Sequence, residues 1–180
     1  NENDTEDSEK SNSYDFSNLN LSENLIKGVY LYGFKKPSKI QVEGIKAINT
    51  GKDCILQSQS GTGKTATYLL GVLNRMDEND KTQGLIITPT RELSLQVHLV
   101  ASEISKYTKL KVELCTGSVS ISENRSKLKS ANLIIRTLGR IYHMLQENRI
   151  NFYNLKLLIL DEADDDLTDE VIKELNNLLN

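Results

Sequence analysis

Two short segments of this chain carry residue types whose order and spacing suit the binding of a phosphate chain and a metal ion. The first runs Ser58-Gln59-Ser60-Gly61-Thr62-Gly63-Lys64-Thr65. In a glycine-rich turn that opens a helix, backbone amides converge on one anion, the lysine reaches the β and γ phosphates, and the threonine hydroxyl can bind magnesium. The second is Asp161-Glu162-Ala163-Asp164, which follows an apolar run at 157–160. A phosphate cradle and an acidic strand end together predict a nucleoside triphosphate site with Mg²⁺.

We assign different roles to Asp161 and Glu162 of this predicted site. Asp161 would hold magnesium through water, and Glu162 would position or deprotonate the attacking water, with Lys64 on the phosphates. Two plainer interpretations stay open. The glycines could form a purely structural turn, and the carboxylates could belong to a solvated acidic patch, because three more aspartates occupy 164–166. Ser58 also stands where the strict phosphate-loop pattern has glycine.

An alternation of helical and strand-like segments predicts the fold that would position these residues. The predicted strands are Cys54–Leu56, Leu85–Thr88, Val112–Cys115, Leu133–Ile135 and Leu157–Leu160. The predicted helices are one from Leu21 to Tyr30, one between Pro37 and Gly51, and others at about 64–76, 90–106, 121–129, 139–148 and 168–179. Continuous apolar strands separated by helices indicate an α/β domain. We expect a parallel β-sheet with helices on both faces and the ligand at the carboxyl ends of the strands.

Composition narrows the class of protein further. The 180 residues suffice for one domain with its own core, and no apolar run approaches the roughly 20 residues needed to span a bilayer, so no membrane is expected. Residues 1–13 hold five acidic side chains and no apolar one, which predicts a disordered acidic tail before a folded unit at 14–180. Cys54 and Cys115 lie in apolar runs and are expected to be buried free thiols in a reducing compartment, cytoplasmic or nuclear.

The segment Gly33-Phe34-Lys35-Lys36-Pro37-Ser38-Lys39-Ile40-Gln41, with Phe16 seventeen residues before its first glycine, resembles the adenine-reading Q motif of DEAD-box RNA helicases. With the phosphate-loop and acidic segments, it makes 14–180 similar to the first RecA-like, P-loop domain of that family, and most similar to the translation initiation factor 4A subfamily. The resemblance implies ATP as the ligand. Gln41 would donate to one adenine position and accept from another, Phe34 would stack on the base, and Phe16 would brace the region. In the plainer interpretation, Phe34 and Gln41 only start a helix and fill its core.

The RNA-contacting motifs of the family are matched less evenly. Pro89-Thr90-Arg91-Glu92-Leu93 is identical to the family's RNA-backbone motif, although Arg91 and Glu92 could instead be an ordinary first-turn pair. A family glycine doublet is Gly117-Ser118 here, and a family Thr-Pro-Gly-Arg is Thr137-Leu138-Gly139-Arg140. The resemblance implies contacts to the RNA backbone from Pro89, Thr90, Arg91, Glu92, Gly117, Thr137, Gly139 and Arg140. An added Cβ at Ser118 and a lost proline at 138 predict that these contacts are weakened.

The resemblance implies the amino-terminal ATP-binding domain of an ATP-dependent RNA helicase, which couples ATP hydrolysis to RNA unwinding or remodelling, with translation initiation as the implied setting. The family's Ser-Ala-Thr segment and its second RecA-like domain, which supplies arginines to the γ phosphate, do not occur in the sequence. We therefore expect an incomplete enzyme that alone turns ATP over very slowly. The implied partners are single-stranded or duplex RNA, the second RecA-like domain, and translation-factor or splicing-type proteins.

Two other functions stay open beside the helicase. A divergent relative could hold ATP as a switch for protein partners with weakened RNA activity, which Ser118 and Leu138 favour. A helicase-fold translocase on DNA is the other, and the Q motif argues against it. RNA-stimulated ATPase activity of the whole protein tests the first, and a comparison of single-stranded RNA with DNA tests the second.

Overall fold

The computed structural model describes residues 14–115, 127–137 and 153–166, with the single positions 172, 173 and 176. The helices in these ranges are a 3₁₀ turn at Phe16–Asn18, α1 at Glu23–Tyr32, α2 at Lys39–Asn49, α3 at Lys64–Asn74, α4 at Arg91–Ile104 and a short α5 at Ala163–Asp166. The strands are β1 at Gly84–Thr88, β2 at Val112–Leu114, β3 at Leu133–Thr137 and β4 at Leu157–Leu160.

The four strands form one parallel sheet in the order β2-β3-β1-β4. In register, Thr88 of β1 lies opposite Thr137 of β3, and Ile87 lies opposite Leu160 of β4. The carboxyl ends of three strands therefore meet at one edge of the sheet. This is the edge at which parallel α/β sheets bind ligands.

Both faces of the sheet are covered, which is why residues 85–87, 133–135 and 157–160 are apolar at consecutive rather than at alternate positions. On one face, Ile86, Leu133 and Ile135 join a core built with apolar residues of helices α1 to α4. On the other face, Leu85, Ile87 and Ile134 pack with Leu128 and Ala131. Leu128 belongs to a helical turn at 127–130. The predicted parallel sheet with helical cover on both faces is therefore confirmed.

Local sequence signals set the ends of the first helices. Ser22 caps α1 by accepting a hydrogen bond from the backbone N–H of Leu25, and α1 ends at Gly33 in left-handed backbone with φ 110°. Thr90 caps α4 in the same way by accepting from Leu93. Helices α1 and α4 approach so closely that a Cβ on Gly28 would overlap the Ile104 carbonyl. Only glycine fits at this crossing without a backbone shift.

The predicted strand at Cys54–Leu56 is wrong. Residues 53–59 form no ladder with a described strand, and Ile55 is 95% exposed. A strand needs a neighbour for its backbone hydrogen bonds, and an apolar run cannot show whether such a neighbour is present. Cys54 is exposed, so its predicted burial is also wrong, whereas Cys115 is buried and in no disulfide bond with Cys54, as expected.

Other expectations fall partly or wholly outside the described ranges. The acidic tail at 1–13 and the predicted helix at 139–148 lie outside them. Of the predicted helix at 121–129, the described positions from 127 are helical, as are 172, 173 and 176 of the helix predicted at 168–179. No described helix is long and apolar enough to cross a membrane.

Candidate functional site

The glycine-rich segment forms a tight turn that leads into α3. Gly61 and Gly63 both have left-handed backbone, with φ 77° and 99°, which glycine adopts without steric cost. Gly63 is the N-cap of α3, and Lys64 and Thr65 are its first residues. The turn therefore presents free backbone N–H groups and the positive end of a helix dipole at one point, an arrangement that favours an anion.

Side chains of this turn bond to the turn itself. Lys64 Nζ donates to the Ser58 carbonyl at 2.7 Å, and the hydroxyls of Ser58 and Thr62 lie 2.6 Å apart. Thr62 Oγ1 donates to the Gln59 carbonyl at 2.8 Å, so Ser58 is the donor of the hydroxyl pair. The serine that departs from the strict phosphate-loop pattern thus braces the turn in a way that glycine cannot. A bound phosphate would offer Lys64 a charged acceptor in place of the carbonyl, and such bonds are about twice as strong.

The Q-like segment is joined to this turn through Ser38 and Gln41. Ser38 Oγ donates to the Thr62 carbonyl at 2.9 Å, and Gln41 Oε1 accepts from the Ser38 backbone N–H at 2.8 Å. Gln41 is 2% exposed, and a Cβ on Gly63 would lie 2.6 Å from its Nε2. Gln41 therefore lies directly against the phosphate-loop turn. Its carbonyl oxygen already accepts one hydrogen bond, so its Nε2–H₂ group is the free end of the amide.

The aromatic residues of the segment form a cluster beside α1. Phe16 is fully buried and meets Phe34 at 6.2 Å between ring centroids, edge to face. Phe34 is half-buried, and Tyr32, which the sequence reasoning did not single out, lies 5.4 Å from it at a shallow angle of 31°. The resemblance implies that Phe16 braces this region, which stays a prediction, and the ring contact between Phe16 and Phe34 is compatible with it. Phe34 remains partly accessible.

Asp15 fixes the start of this cluster. It caps the 3₁₀ turn and accepts hydrogen bonds from the Ser17 side chain and, at 2.7 Å, from the Tyr30 hydroxyl. The bond from the Ser17 hydroxyl, followed by that from Tyr30, lowers the pKa of Asp15 to about 2. The chain before α1 is thereby tied to the outer surface of that helix.

The acidic segment begins where β4 ends. The Asp161 N–H donates to the Ile87 carbonyl at 2.9 Å, so it continues the ladder to β1. Asp161 Oδ1 accepts from the Glu162 N–H at 3.1 Å, and Oδ2 accepts from the Tyr68 hydroxyl at 2.8 Å. Glu162 has a positive φ of 53°, uncommon for a residue with a side chain, and α5 begins immediately after it. The left-handed residue turns the chain sharply and leaves the Glu162 side chain exposed.

Tyr68 is a site residue that sequence reasoning missed. It lies on α3, and its side chain is 6% exposed. Burial, and secondarily the charge of Asp161, raises the pKa of Tyr68 well above its ordinary value, so the phenol is protonated and donates. The available signal was spacing alone, since Tyr68 lies one helical turn after Thr65 and therefore on the same face of α3.

The residues expected to contact RNA lie partly at the same sheet edge. Pro89 and Thr90 turn the chain out of β1, and Arg91 and Glu92 are exposed in the first turn of α4. Thr137 ends β3 next to Thr88 of β1. Gly117, Gly139 and Arg140 lie outside the described residues, as do Ser118 and Leu138. The turn after β1 therefore presents an exposed arginine at a helix amino end, a geometry that suits a phosphate.

The donors at the site are suited to magnesium rather than to a transition metal. Thr65 supplies a hydroxyl and Asp161 a carboxylate, and Mg²⁺ is commonly held by one or two carboxylates with substrate phosphates and water. Among the described residues, there is no group of three or more His, Cys, Asp or Glu side chains placed to hold a metal ion. These two oxygen donors fit a magnesium ion that the phosphates of a ligand would help to coordinate.

Comparison with known proteins places the fold and the site in one family. Residues 38–180 match the DEAD/DEAH box helicase family. The chain therefore belongs to the DEAD/DEAH box helicase family.

Sequence identity to relatives of this family extends over most of the chain. The chain is 44% identical over 155 residues to the eukaryotic initiation factor 4A of Cryptosporidium parvum, covering 85% of this chain and 38% of the relative. It is 40% identical over 167 residues to the ATP-dependent RNA helicase eIF4A of Lodderomyces elongisporus, covering 92% of this chain and 42% of the relative. The chain thus spans about two-fifths of the length of these curated relatives.

Solved structures resemble the fold described above. A DEAD box protein from the hyperthermophile Methanococcus jannaschii superposes with a TM-score of 0.83 at 34% identity, covering 92% of this chain and 46% of that one. Dbp5 of S. cerevisiae, bound to RNA and ADP BeF3, superposes with a TM-score of 0.76 at 29% identity, covering 91% of this chain and 43% of that one. The predicted RecA-like fold of DEAD-box proteins is thereby confirmed.

Proposed function

We propose that residues 14–180 are the amino-terminal ATP-binding domain of an ATP-dependent RNA helicase. The observation that carries this proposal is the convergence of three segments: the turn before α3, Asp161 at the end of β4, and Gln41 against Gly63. These positions are far apart in the sequence. In the proposed complex, the turn binds the phosphates, Asp161 the metal ion and Gln41 the base.

In the proposed complex, the triphosphate lies against the amino end of α3. The backbone N–H groups of the turn at 58–63 surround the β phosphate, and Lys64 exchanges the Ser58 carbonyl for phosphate oxygens. Thr65 and Asp161 are the residues that would hold magnesium. Magnesium, when bound, neutralises charge on the phosphate oxygens. Phe34 would stack on adenine, and Gln41 would donate from Nε2 to a ring nitrogen.

For hydrolysis, Glu162 is the proposed general base. It would accept a proton from a water molecule whose oxygen bonds to the γ phosphorus, while the bond from that phosphorus to the bridging oxygen breaks and its electron pair leaves with ADP. The carboxylate is exposed beside Asp161, so a water molecule can reach it. The sharp backbone turn at Glu162 gives the side chain a position distinct from that of the metal-holding aspartate.

On the RNA side, Pro89, Thr90, Arg91 and Glu92 would contact the backbone of single-stranded or duplex RNA, with Thr137 at the neighbouring strand end. Such contacts hold phosphates and carry no base information, so binding would be largely independent of sequence. Gly117, Gly139 and Arg140 are assigned to the same surface by the resemblance. The Dbp5 structure with RNA and ADP BeF3 is of a relative that binds both.

The whole protein would add further parts and partners. A second RecA-like domain would supply arginines to the γ phosphate and the other half of the RNA groove. Translation-factor or splicing-type proteins would be further partners, in line with relatives named initiation factor 4A and with Dbp5 bound to Gle1 and Nup159. We place the protein in the cytoplasm, where initiation factors act, with the nucleus as the other compartment.

Calorimetry tests the nucleotide part of this proposal directly. ATP and ADP should bind the chain, GTP should bind far more weakly, and Gln41→Ala should reduce that preference. An amide that reads a base edge discriminates by about 1–3 kcal/mol, which is roughly 5- to 150-fold in affinity. Equal affinity for ATP and GTP would remove Gln41 from the base site. For the whole protein, RNA-stimulated ATPase activity is the corresponding test.

A second candidate function is an ATP-dependent switch for protein partners with weakened RNA activity. It is favoured by Ser118 and Leu138, which replace a glycine and a proline of the family's RNA motifs. The same ATPase assay separates the two functions. A helicase should respond to RNA, whereas a switch should hydrolyse ATP at a rate that RNA leaves unchanged.

A further inference from the structure

Tyr68 contacts one of the two residues that the proposed function assigns to magnesium and lies one helical turn after the other. Its hydroxyl donates to Asp161 Oδ2 at 2.8 Å across 93 positions of sequence. Thr65 is one turn earlier on α3, on the same face of that helix. The phenol thus connects α3, the helix that carries Thr65, with the first residue after β4.

The environment of Tyr68 gives this hydroxyl a fixed position. The ring belongs to the main apolar core, which includes Leu69 and Ile86. A tyrosine buried by its ring can place its hydroxyl in few ways, so that hydroxyl is a rigid reference point. An ordinary core position on α3 would be filled equally well by phenylalanine. The hydroxyl is therefore the part of Tyr68 that calls for an explanation.

Asp161 is held at three atoms as a result. Its N–H donates to the Ile87 carbonyl at 2.9 Å, its Oδ1 accepts from the Glu162 N–H at 3.1 Å, and its Oδ2 accepts from Tyr68. Without Tyr68, the bond from the Glu162 N–H would be the one left to the carboxylate among the contacts described for it. Nothing among the contacts described for it would then tie its orientation to α3.

We propose that Tyr68 is a positioning residue that holds the Asp161 carboxylate in the orientation needed to share one magnesium ion with the Thr65 hydroxyl. This inference rests on the proposed nucleotide function. Tyr68 touches neither the metal nor the nucleotide and acts through Asp161. Hydrogen-bond partners behind metal ligands orient those ligands, and their loss commonly costs 10- to 100-fold in metal affinity.

The test is the magnesium dependence of ADP binding, measured by calorimetry on the wild-type chain and on Tyr68→Phe. ADP is titrated at a series of free Mg²⁺ concentrations and in excess EDTA. We expect the Mg²⁺ concentration for half-maximal enhancement of ADP affinity to rise about tenfold in Tyr68→Phe. The ADP affinity in EDTA should stay within about twofold of wild type, because the phosphate-loop turn keeps its own contacts.

Tyr30→Phe is the matched control, because Tyr30 also donates to an aspartate, Asp15, at 2.7 Å, and neither residue belongs to the turn before α3. It should keep the wild-type Mg²⁺ dependence. A second measurement guards against a general loss of stability. In an Asp161→Asn background, Tyr68→Phe should shift the Mg²⁺ dependence no further, because both changes disable one ligand.

The outcomes separate this inference from the function on which it rests. If the wild-type chain binds ADP with a clear Mg²⁺ enhancement and Tyr68→Phe leaves it unchanged or makes it stronger, the positioning role is overturned and the nucleotide site stands. An equal shift in Tyr68→Phe and Tyr30→Phe also overturns it. If the wild-type chain binds no ADP under any condition, the proposed function and this inference fail together.

Discussion

Two glycines of the phosphate-loop turn offer a matched pair of substitutions, Gly61→Ala and Gly63→Ala. Both residues have left-handed backbone, with φ 77° and 99°. A Cβ on Gly61 would meet nothing within 4 Å, whereas a Cβ on Gly63 would lie 2.6 Å from Gln41 Nε2 and 3.2 Å from Gln41 Cδ. The two variants share the backbone strain and differ in one contact. Comparing them therefore measures how tightly the Q-like segment is packed against the turn.

The expected magnitudes follow from these contacts. Left-handed backbone costs a residue with a Cβ about 1–2 kcal/mol, which sets the loss for Gly61→Ala. Gly63→Ala must also displace a side chain that is 2% exposed. Overpacking of this kind costs about 1–3 kcal/mol, and the loss of the bond from the Ser38 N–H to Gln41 adds about 0.5–1.5 kcal/mol. We therefore expect Gly63→Ala to be less stable than Gly61→Ala by about 1.5–4.5 kcal/mol.

Urea unfolding followed by far-ultraviolet circular dichroism measures this difference in the free energy of unfolding. A double variant isolates the contact. In a Gln41→Ala background the clash is gone, so Gly63→Ala should cost only the backbone part, about 1–2 kcal/mol. The reasoning is refuted if Gly61→Ala and Gly63→Ala lose the same stability, or if removing the Gln41 side chain leaves the cost of Gly63→Ala unchanged.

Three further predictions address catalysis, pH and RNA. In the whole protein, Glu162→Gln should abolish ATP hydrolysis and spare ATP binding, because it removes the general base and keeps the shape of the side chain. Hydrolysis at the wild-type rate would exclude Glu162 as the general base. Because the pKa of Asp15 is lowered, its hydrogen bonds add stability above about pH 4, and this stability is lost as the pH falls towards 2. The urea midpoints of wild type and Asp15→Asn should therefore converge on acidification. A constant gap between them would contradict this. In the whole protein, the double change Ser118→Gly, Leu138→Pro should tighten the binding of all single-stranded RNAs alike. Fluorescence anisotropy at one salt concentration measures this binding. No gain in affinity, or a gain on certain sequences only, would mean that these departures are neutral.

The fold was predictable from the sequence wherever apolar residues alone decide the structure. β1, β3 and β4 pack against apolar residues on both faces, so each contains a run of consecutive apolar residues that stands out between helices. The positions of the site segments are predictable from these strands, because a residue directly after a buried parallel strand must lie at the carboxyl edge of the sheet. Asp161 and Pro89 were placed there by sequence position, and the structure has them at that edge.

What the sequence could not show depends on neighbours that are far away in the chain. The run at Cys54–Leu56 is as apolar as a strand, yet no described strand supplies its hydrogen bonds. Tyr68 reads as one more aromatic residue of a buried helix until β4 brings Asp161 to its hydroxyl. In both cases the residue type is compatible with two environments. The tertiary contact decides between them, and no periodicity within the chain carries that information.

The buried amide of Gln41 lies where it can contact both the phosphate-loop turn and, in the proposed function, the base of a bound nucleotide. Its Oε1 accepts from the Ser38 N–H, which fixes the amide orientation and leaves Nε2 beside Gly63 as the free donor. Adenine offers a ring-nitrogen acceptor next to an amino donor, so it can pair with Nε2 and share the second lone pair of Oε1. Guanine has an oxygen in place of that amino group, and this oxygen would face the Gln41 carbonyl and leave two acceptors opposed. Because the same amide packs against the N-cap of α3, a base bound as in the proposed function would be read directly beside the phosphate-loop turn.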